Sequence, residues 1–392
     1  MCDHDAQSKS KRRTSNSTLE NAVQPRREAS PRSSALTSNA LERDSVKMWK
    51  RFVEFLRCSV CRNALSVEAP TEAVIPVSAD SSRLAEERGV AGPKFNTYID
   101  TGLLCCDNCR SAFPIFRGLP ILLPYRTPAH EEFARHLERA TRAVLDKYCF
   151  PSSQPAEGEE LVLRSFSREW LNYQFDGVIW ELSYDDHERR FLAEAGCDSR
   201  DEPIHAFLEV GCGIGITTYL AHKNFKTDAI GLDLSEAALR ASTHYRTNPF
   251  LHFVQASAFA PPFADDCFDF IYSRGVLHHT FSTYDAFRSV ARLCRLGGRM
   301  YLWVYGTRSI TASPLRRALY LSEVVLRRIL SRQQSGVTTV ALSPVALAYM
   351  AFNAFRRAQT SEIQRLSYAR ALHAARDRFT PRFAHRQRRI NG

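Results

Sequence analysis

Residues 207–235, FLEVGCGIGITTYLAHKNFKTDAIGLDLS, constrain the fold of this chain more than any other stretch. The apolar run 207–210 predicts a buried strand that leads directly into a turn with three glycines. A helix is predicted from Ile216, and a second buried strand follows and ends at Asp233. This order predicts a βαβ unit whose glycine-rich turn lies at the carboxyl end of the first strand, where open α/β sheets bind ligands.

The residues around the turn indicate which ligand it holds. The glycines are spaced G-x-G-x-G, whereas a dinucleotide fingerprint needs a glycine where Ile216 stands. Glu209 would repel a diphosphate but can accept a hydrogen bond from an ammonium group. Asp233 is placed to accept hydrogen bonds from ribose hydroxyls. S-adenosylmethionine has an amino-acid end, a ribose and no phosphate, so it fits; the alternative is a turn that only packs a strand closely on a helix.

The EVGCGIG segment resembles the first motif of the class I S-adenosylmethionine-dependent methyltransferases, and Asp233 stands at that family's acidic ribose-binding position. A second match is APPFADDCFDFIYSRGVLHHT, with its Pro-Phe loop, acidic turn, apolar strand and V-L-H-H. A helix over 284–296, a Gly-Gly turn at 297–298 and the strand RMYLWVY complete the pattern. The resemblance covers residues 165–306. It implies an α/β fold with a Rossmann-like, doubly wound sheet and S-adenosylmethionine as cofactor.

The resemblance also implies a set of site residues. The predicted cofactor contacts are Glu209, Gly211, Cys212, Gly213, Gly215, Asp233, Leu234, Ser257, Ala258 and Ser273. Ser257 departs from the family, which usually has an acidic residue there to accept a hydrogen bond from the adenine amino group. His278 and His279 follow the fourth strand and are candidate general bases, because histidine titrates near neutral pH. Alternatively, they only cap the turn or contact the cofactor.

Two C-x-x-C pairs, Cys58 with Cys61 and Cys106 with Cys109, can present four thiolates to one zinc ion. With the FPIFRGLPILLP tail they resemble the short zinc-ribbon-like domain found ahead of, or beside, many methyltransferases. The resemblance implies a structural zinc without a catalytic role, since four thiolates leave no open position. The alternative is four thiols without a metal.

Charge is distributed unevenly along the chain, whose net charge is +11. Net charge is +5 over residues 1–57, −7 over 58–305 and +13 over 306–392. The predicted organisation is a disordered basic tail (1–45), a zinc-ribbon-like domain (46–125), a helical and aromatic lid (126–200), the cofactor-binding domain (201–306) and a basic helical substrate lid (307–392). Residues 129–148 predict one amphipathic helix, and Tyr173 and Trp180 are the predicted substrate contacts. Eleven cysteines without a secretion signal favour a cytoplasmic location.

The C-terminal segment predicts helices. Residues 313–330 predict an amphipathic helix with its arginines off the apolar face, and residues 337–355 carry no charge. That uncharged run reaches the lower edge of membrane-spanning length, but a buried lid helix is favoured over membrane insertion or surface attachment. No apolar run remains for the last two strands of the family's sheet.

These features predict a methyltransferase that acts on a small-molecule or carrier-presented acceptor, with oxygen or nitrogen favoured over carbon as the methylated atom. Nucleic acid is disfavoured, because the fourth strand leads into Ser273-Arg274-Gly275 and not into the polar-Pro-Pro-aromatic signature of amino-directed nucleic-acid enzymes. The rival is a catalytically weak methyltransferase-like binding protein that contacts a membrane surface or nucleic acid through its basic ends.

Overall fold

The computed structural model describes residues 48–137, 139–171, 178–179, 182–196, 203–306, 313–359 and 365–387. The N-terminal part is an antiparallel sheet in which β3 pairs with β1, β2 and β4, and β5 continues from β4. Its strands are β1 (Met48–Trp49), β2 (Ser66–Val74), β3 (Thr97–Cys105), β4 (Ala112–Phe116) and β5 (Leu119–Pro120). A short 3-10 helix (Lys50–Glu54) and α1 (Ala79–Glu87) complete this part.

The segment between the two main sheets is mostly helical. It contains α2 (Pro128–Arg135), α3 (Arg139–Val144), α4 (Glu159–Leu171), β6 (Val178–Ile179), β7 (Leu182–Ser183) and α5 (Tyr184–Ala195). The prediction of one helix over 129–148 is wrong, because α2 ends before His136 and the chain restarts as α3. The break lets Phe133, Leu137 and Val144 pack together over β3 and β4. Tyr173, Trp180 and the tail 1–45 lie outside the described residues.

The second sheet is the predicted Rossmann-like sheet, and its parallel strands lie in the order β10-β9-β8-β11-β12. They are β8 (Ala206–Val210), β9 (Asp228–Asp233), β10 (Leu251–Gln255), β11 (Phe268–Arg274) and β12 (Cys294–Trp303). The helices α6 (Ile216–Phe225), α7 (Ala237–His244) and α8 (Thr283–Ala291) connect them. The chain therefore reverses its direction of strand addition between β8 and β11, where this class of sheet binds ligands.

Two boundaries differ from the prediction. The helix expected to reach residue 296 ends at Ala291, and the glycines at 297–298 lie inside β12. The strand bulges there, since Phe268 pairs with Cys294 and Phe270 pairs with Arg299. The Gly-Gly pair predicts a turn, but glycine is equally common in β-bulges, so the sequence does not distinguish the two.

The two sheets share one hydrophobic core. Phe52 and Leu56 from the N-terminal part are fully buried in the same cluster as Leu208 and Val254. The main chain joins as well: Leu122 N donates to Gln255 O at 2.9 Å. This contact covers part of the exposed edge of β10, which would otherwise be open to pairing with another chain. The N-terminal part therefore has its own sheet, but its core is continuous with that of the second sheet.

Three helices follow the second sheet: α9 (Pro314–Leu330), α10 (Ser335–Gln359) and α11 (Tyr368–Phe379). The sequence predicts that the arginines of α9 lie off its apolar face, and in the structure Arg327 is buried while the apolar Leu321 and Val325 are exposed. The prediction of a buried α10 is wrong, since its Val340, Phe352 and Phe355 side chains are each more than 60% exposed. Among the described residues, the sheet ends at β12, beyond which a single bridge joins Gly306 to Gln387.

Candidate functional site

A cavity of about 390 Å³ opens at the carboxyl ends of β8 and β9, beside the point where the strand order reverses. The glycine turn after β8 forms its floor. Gly211 has φ +80°, and a Cβ there would lie 2.2 Å from a Val276 methyl carbon. Gly215 has φ +82°, and a Cβ there would lie 2.7 Å from the Phe253 ring. Both positions require glycine, because another residue would be strained and would collide with its neighbour.

Two buried carboxyl groups face the cavity from neighbouring strands. Glu209 accepts a hydrogen bond from Thr218 Oγ1 at 2.5 Å, and burial raises its pKa to about 8. Asp233 accepts the N–H of Gly213 on one oxygen and the N–H of Ser235 on the other, each at 2.8 Å. Burial raises the pKa of Asp233 as well. Asp233 therefore fixes the glycine turn while its carboxyl remains part of the cavity wall.

The structure divides the predicted site residues into two groups. Those in the cavity wall are Glu209, Gly211, Cys212, Gly213, Asp233, Leu234, Ala258 and His279. Those that support the wall from behind are Gly215, Ser257, Ser273 and His278. Ser273, for example, donates a hydrogen bond to Val210 O at 3.1 Å and so ties β11 to the end of β8.

Glu159 is a site residue that the sequence pattern did not reveal. It lies beside Ser257, which stands where the family usually has an acidic residue. Its carboxyl accepts a hydrogen bond from the Ser257 hydroxyl and another from Ala156 N, the latter at 3.0 Å. The residue is buried in the cavity wall, and this burial raises its pKa. α4 thus brings a carboxyl group to the position that the family normally fills from the end of the third strand.

The two candidate bases have different surroundings. His278 packs on Tyr305, with ring centroids 3.9 Å apart, and burial lowers its pKa to about 2. His279 lines the cavity, and its Nδ1 lies 2.8 Å from Phe383 O. A carbonyl oxygen can only accept, so Nδ1 carries the proton and Nε2 is left as an acceptor. Burial lowers the pKa of His279 to about 4, which keeps the ring neutral at physiological pH.

The C-terminal segment contributes one residue of α11 to the cavity wall. Asp377 of α11 lies in the wall, and burial raises its pKa to about 7. Beyond α11, His385 N donates to His278 O and Gln387 N donates to Tyr305 O, both at 2.8 Å. His385 and Gln387 are therefore hydrogen-bonded to the candidate base His278 and to the nearby Tyr305.

The four predicted metal ligands come together in the N-terminal part. The Sγ atoms of Cys58, Cys61, Cys106 and Cys109 all lie within 4.8 Å of one another. Cys58 Sγ is 3.5 Å from Cys109 Sγ, and Cys61 Sγ is 3.4 Å from Cys106 Sγ. Four thiolates at such spacing match the ligand set of a closed tetrahedral zinc site, so the cluster could hold zinc.

Comparison with known proteins supports both parts. Residues 208–302 match the family described as "Methyltransferase domain", and residues 50–118 match the family described as "Trm112p-like protein". "Uncharacterized methyltransferase YcgJ" of Bacillus subtilis (strain 168) is 32% identical over 101 residues, which are 25% of this chain and 40% of that protein. "Phosphoethanolamine N-methyltransferase 3" of Arabidopsis thaliana is 29% identical over 115 residues, 29% of this chain and 24% of that protein.

The crystal structure of the Bacillus subtilis YcgJ protein is 27% identical, with a TM-score of 0.30, and covers 36% of this chain and 59% of that one. The chain thus spans less than half the length of the curated relatives that it matches.

The strand order, the glycine turn and the family match define residues 208–302 as a class I S-adenosylmethionine-dependent methyltransferase domain. The chain joins this domain to a Trm112p-like zinc-ribbon domain.

Proposed function

We propose that this protein transfers a methyl group from S-adenosylmethionine to oxygen or nitrogen of a small-molecule or carrier-presented acceptor. The observation that carries the proposal is the pair of buried carboxyl groups, Glu209 and Asp233, on either side of a turn whose glycines have positive φ. The cofactor supplies an electrophilic methyl group when bound. A large part of the acceleration then comes from holding the acceptor in line with it.

Each of three carboxyl groups recognises a different part of the cofactor. Glu209 accepts hydrogen bonds from the ammonium group, and Asp233 accepts them from the ribose hydroxyls. Glu159 accepts one from the adenine amino group, because it occupies the wall next to Ser257. Each is buried, so a bound cofactor exchanges hydrogen bonds with groups that water reaches poorly, where such bonds contribute more.

His279 is the group that we propose takes a proton from the acceptor. Its Nε2 has no hydrogen-bond partner among the described residues, and its ring is neutral and held by Phe383. His278 does not line the cavity and positions Tyr305 and the chain end. Turnover of His279→Ala at the wild-type rate, with cofactor binding intact, would exclude His279 as the base.

Calorimetry with S-adenosylmethionine and S-adenosylhomocysteine tests the function directly. We expect saturable binding of both, with one site per chain. Transfer of a labelled methyl group to members of an acceptor panel then separates an active enzyme from a binding protein. If neither compound binds to the folded protein, the proposal is wrong. Binding without methyl transfer would instead favour a catalytically weak methyltransferase-like binding protein.

Replacement of Glu159 by Gln is expected to weaken S-adenosylhomocysteine binding by about 5- to 10-fold. The amide keeps the size of the side chain but removes the charge that strengthens an accepted hydrogen bond, a loss on the order of 1 kcal/mol. Calorimetry measures the effect. Glu160→Gln is the matched control, because Glu160 is the neighbouring residue and is exposed. Equal affinities for the two variants would remove Glu159 from the site.

We further propose that the cysteine cluster binds a structural zinc ion, and we expect about one zinc per purified chain. Cys106→Ser is expected to lose most of that zinc and to lower Tm, because metal-binding free energy is also folding free energy. Elemental analysis and thermal melting measure the two effects. Cys105→Ser is the matched control, since Cys105 is adjacent and buried but is not part of the cluster. Wild-type protein without near-stoichiometric zinc would contradict the proposal.

A further inference from the structure

Unlike an ordinary surface helix, α9 turns charged side chains toward the protein and apolar side chains toward solvent. Glu323 and Arg327 face inward and are buried, where they pair with each other, and Glu323 also accepts from Arg378. The outward side carries Leu321, Val325 and Ile329, which are 57%, 55% and 53% exposed. Residues spaced four apart share one side of a helix, so these three form a continuous apolar stripe facing solvent.

α10 likewise exposes apolar side chains. Its exposed large apolar residues are Val337, Val340, Leu347, Phe352 and Phe355. Its buried side includes polar groups, and Asn353 Oδ1 accepts a hydrogen bond from Leu366 N at 3.0 Å. Packing within the described part of the chain does not explain two consecutive helices that both turn apolar side chains outward. A continuous apolar stripe such as that of α9 marks an interaction site.

Length and composition alone would allow α10 to cross a bilayer, since Gly336–Gln359 is a candidate span. Its packing argues against that arrangement. Leu342 and Ala346 on the inner side of α10 pack against Ala371 and Leu372 of α11, which belongs to the wall of the cavity through Asp377. A spanning α10 would have to leave that contact, whereas a helix lying flat on a surface keeps it.

The charges around the apolar surface identify the partner. Residues 313–359 contain seven arginines and one acidic residue, Glu323, which is buried. Arg317 and Arg328 are exposed on α9, Arg332 is exposed just after it, and Arg357 is exposed in the last turn of α10. Two copies of so basic a surface repel each other, which disfavours self-association. Exposed valine and leucine side chains would contribute no binding free energy against a charged phosphate backbone, which disfavours nucleic acid as the partner. Basic side chains around exposed apolar ones fit the headgroup and acyl boundary of an anionic bilayer.

We propose that α9 and α10 form a docking surface for an anionic lipid bilayer, on which the protein lies without spanning it. The apolar stripe enters the boundary region, and the arginines contact the lipid headgroups. The buried Glu323 and Arg327 pair on the opposite side of α9 holds the helix against α11. This inference does not depend on the methyltransferase activity.

Sedimentation of the full chain with vesicles tests the proposal. The vesicles are phosphatidylcholine alone or phosphatidylcholine mixed with phosphatidylglycerol. We expect binding to the mixed vesicles, weaker binding to the neutral ones, and a decrease with added salt, because headgroup attraction is screened. Absence of binding to the mixed vesicles by folded protein would overturn the proposal. Retention in the membrane after alkaline carbonate washing would indicate spanning and would overturn it as well.

Two variants separate the apolar and the electrostatic contributions. Phe352→Ser with Phe355→Ser is expected to weaken vesicle binding by at least about 50-fold, from the loss of two aromatic side chains at the boundary. Arg328→Glu with Arg357→Glu is expected to weaken it by at least about 25-fold, since each arginine near an anionic surface contributes about a factor of five. Both variants alter exposed side chains, and thermal melting checks that each stays folded.

Each variant has a matched control elsewhere on the chain. Leu296→Ser removes an apolar side chain that is 94% exposed on β12, and Arg139→Glu with Arg142→Glu reverses two exposed charges on α3. Both controls are expected to bind vesicles like the wild type. Losses as large as those of the test variants would show that the effect is not specific to α9 and α10. A dimer in sedimentation velocity that the phenylalanine variant abolishes, without vesicle binding, would assign the surface to a second copy and refute the proposal.

Discussion

Asp233→Ala is expected to reduce the affinity for S-adenosylhomocysteine by at least about 100-fold. The substitution removes the acceptor for two ribose hydroxyls, and hydrogen bonds to a charged group contribute about 1.5–3 kcal/mol each. It also removes the oxygens that accept from Gly213 N and Ser235 N, so the glycine turn loses its anchor. Calorimetry measures the affinity. Circular dichroism establishes that the variant is folded.

Asp233→Asn serves as the conservative variant for this experiment, and Asp285→Ala serves as the control outside the cavity. The asparagine keeps one acceptor oxygen, so its affinity is expected to fall between those of the wild type and of Asp233→Ala. Asp285 is exposed in the first turn of α8, away from the cavity wall, and its removal is expected to leave binding unchanged. A folded Asp233→Ala protein with wild-type affinity would exclude the proposed cofactor site, whatever the acceptor is.

Arg51→Met is expected to lower the free energy of unfolding of the whole chain by about 3 kcal/mol, the low end for breaking a buried ion pair. Arg51, in the 3-10 helix after β1, makes a bidentate contact with Asp228 at the start of β9. Burial alone would raise the pKa of Asp228, but neighbouring His252 and Arg51 outweigh it and hold the pKa well below its usual range. The variant leaves that carboxylate with Arg88 as its remaining cationic partner.

Thermal and denaturant unfolding, followed by fluorescence, measure the change. Arg83→Ala is the control, because Arg83 and Asp80 form an exposed pair of the kind that contributes little. Arg51→Met combined with Asp228→Leu is expected to recover part of the loss, since the buried carboxylate is then removed together with the partner that it lost, although Arg88 gives up its contact with Asp228. Unfolding of Arg51→Met at the wild-type midpoint would show that this contact does not couple the two sheets.

The βαβ unit at the centre of the site could be predicted because its determinants are local. The glycines, Glu209 and Asp233 lie within one short stretch, and hydrophobic runs fixed the strands on either side. The cluster of four cysteines could be predicted equally well, since each C-x-x-C spacing places two thiolates side by side. The strand pattern and the family resemblance together predicted the sheet, which the structure confirms.

The parts that could not be predicted depend on contacts between distant segments. Glu159 reaches Ser257 across 98 positions, and no local pattern marks it. The burial of Arg327 could not be predicted, because helical periodicity shows which residues share a side of a helix but not which side faces the protein. The shared core was missed for the same reason, since each sheet has the composition of an independent domain.

The shared core also sets the order in which this protein can become stable as it is made. Arg51 leaves the ribosome first, and its partner Asp228 follows 177 positions later. Until β9 and β10 emerge, the underside of the N-terminal sheet, with Phe52 and Leu56, has no surface to cover it. The growing chain therefore carries an exposed apolar face until β9 and β10 have been made, and during that period it depends on chaperones or on aggregation being slow.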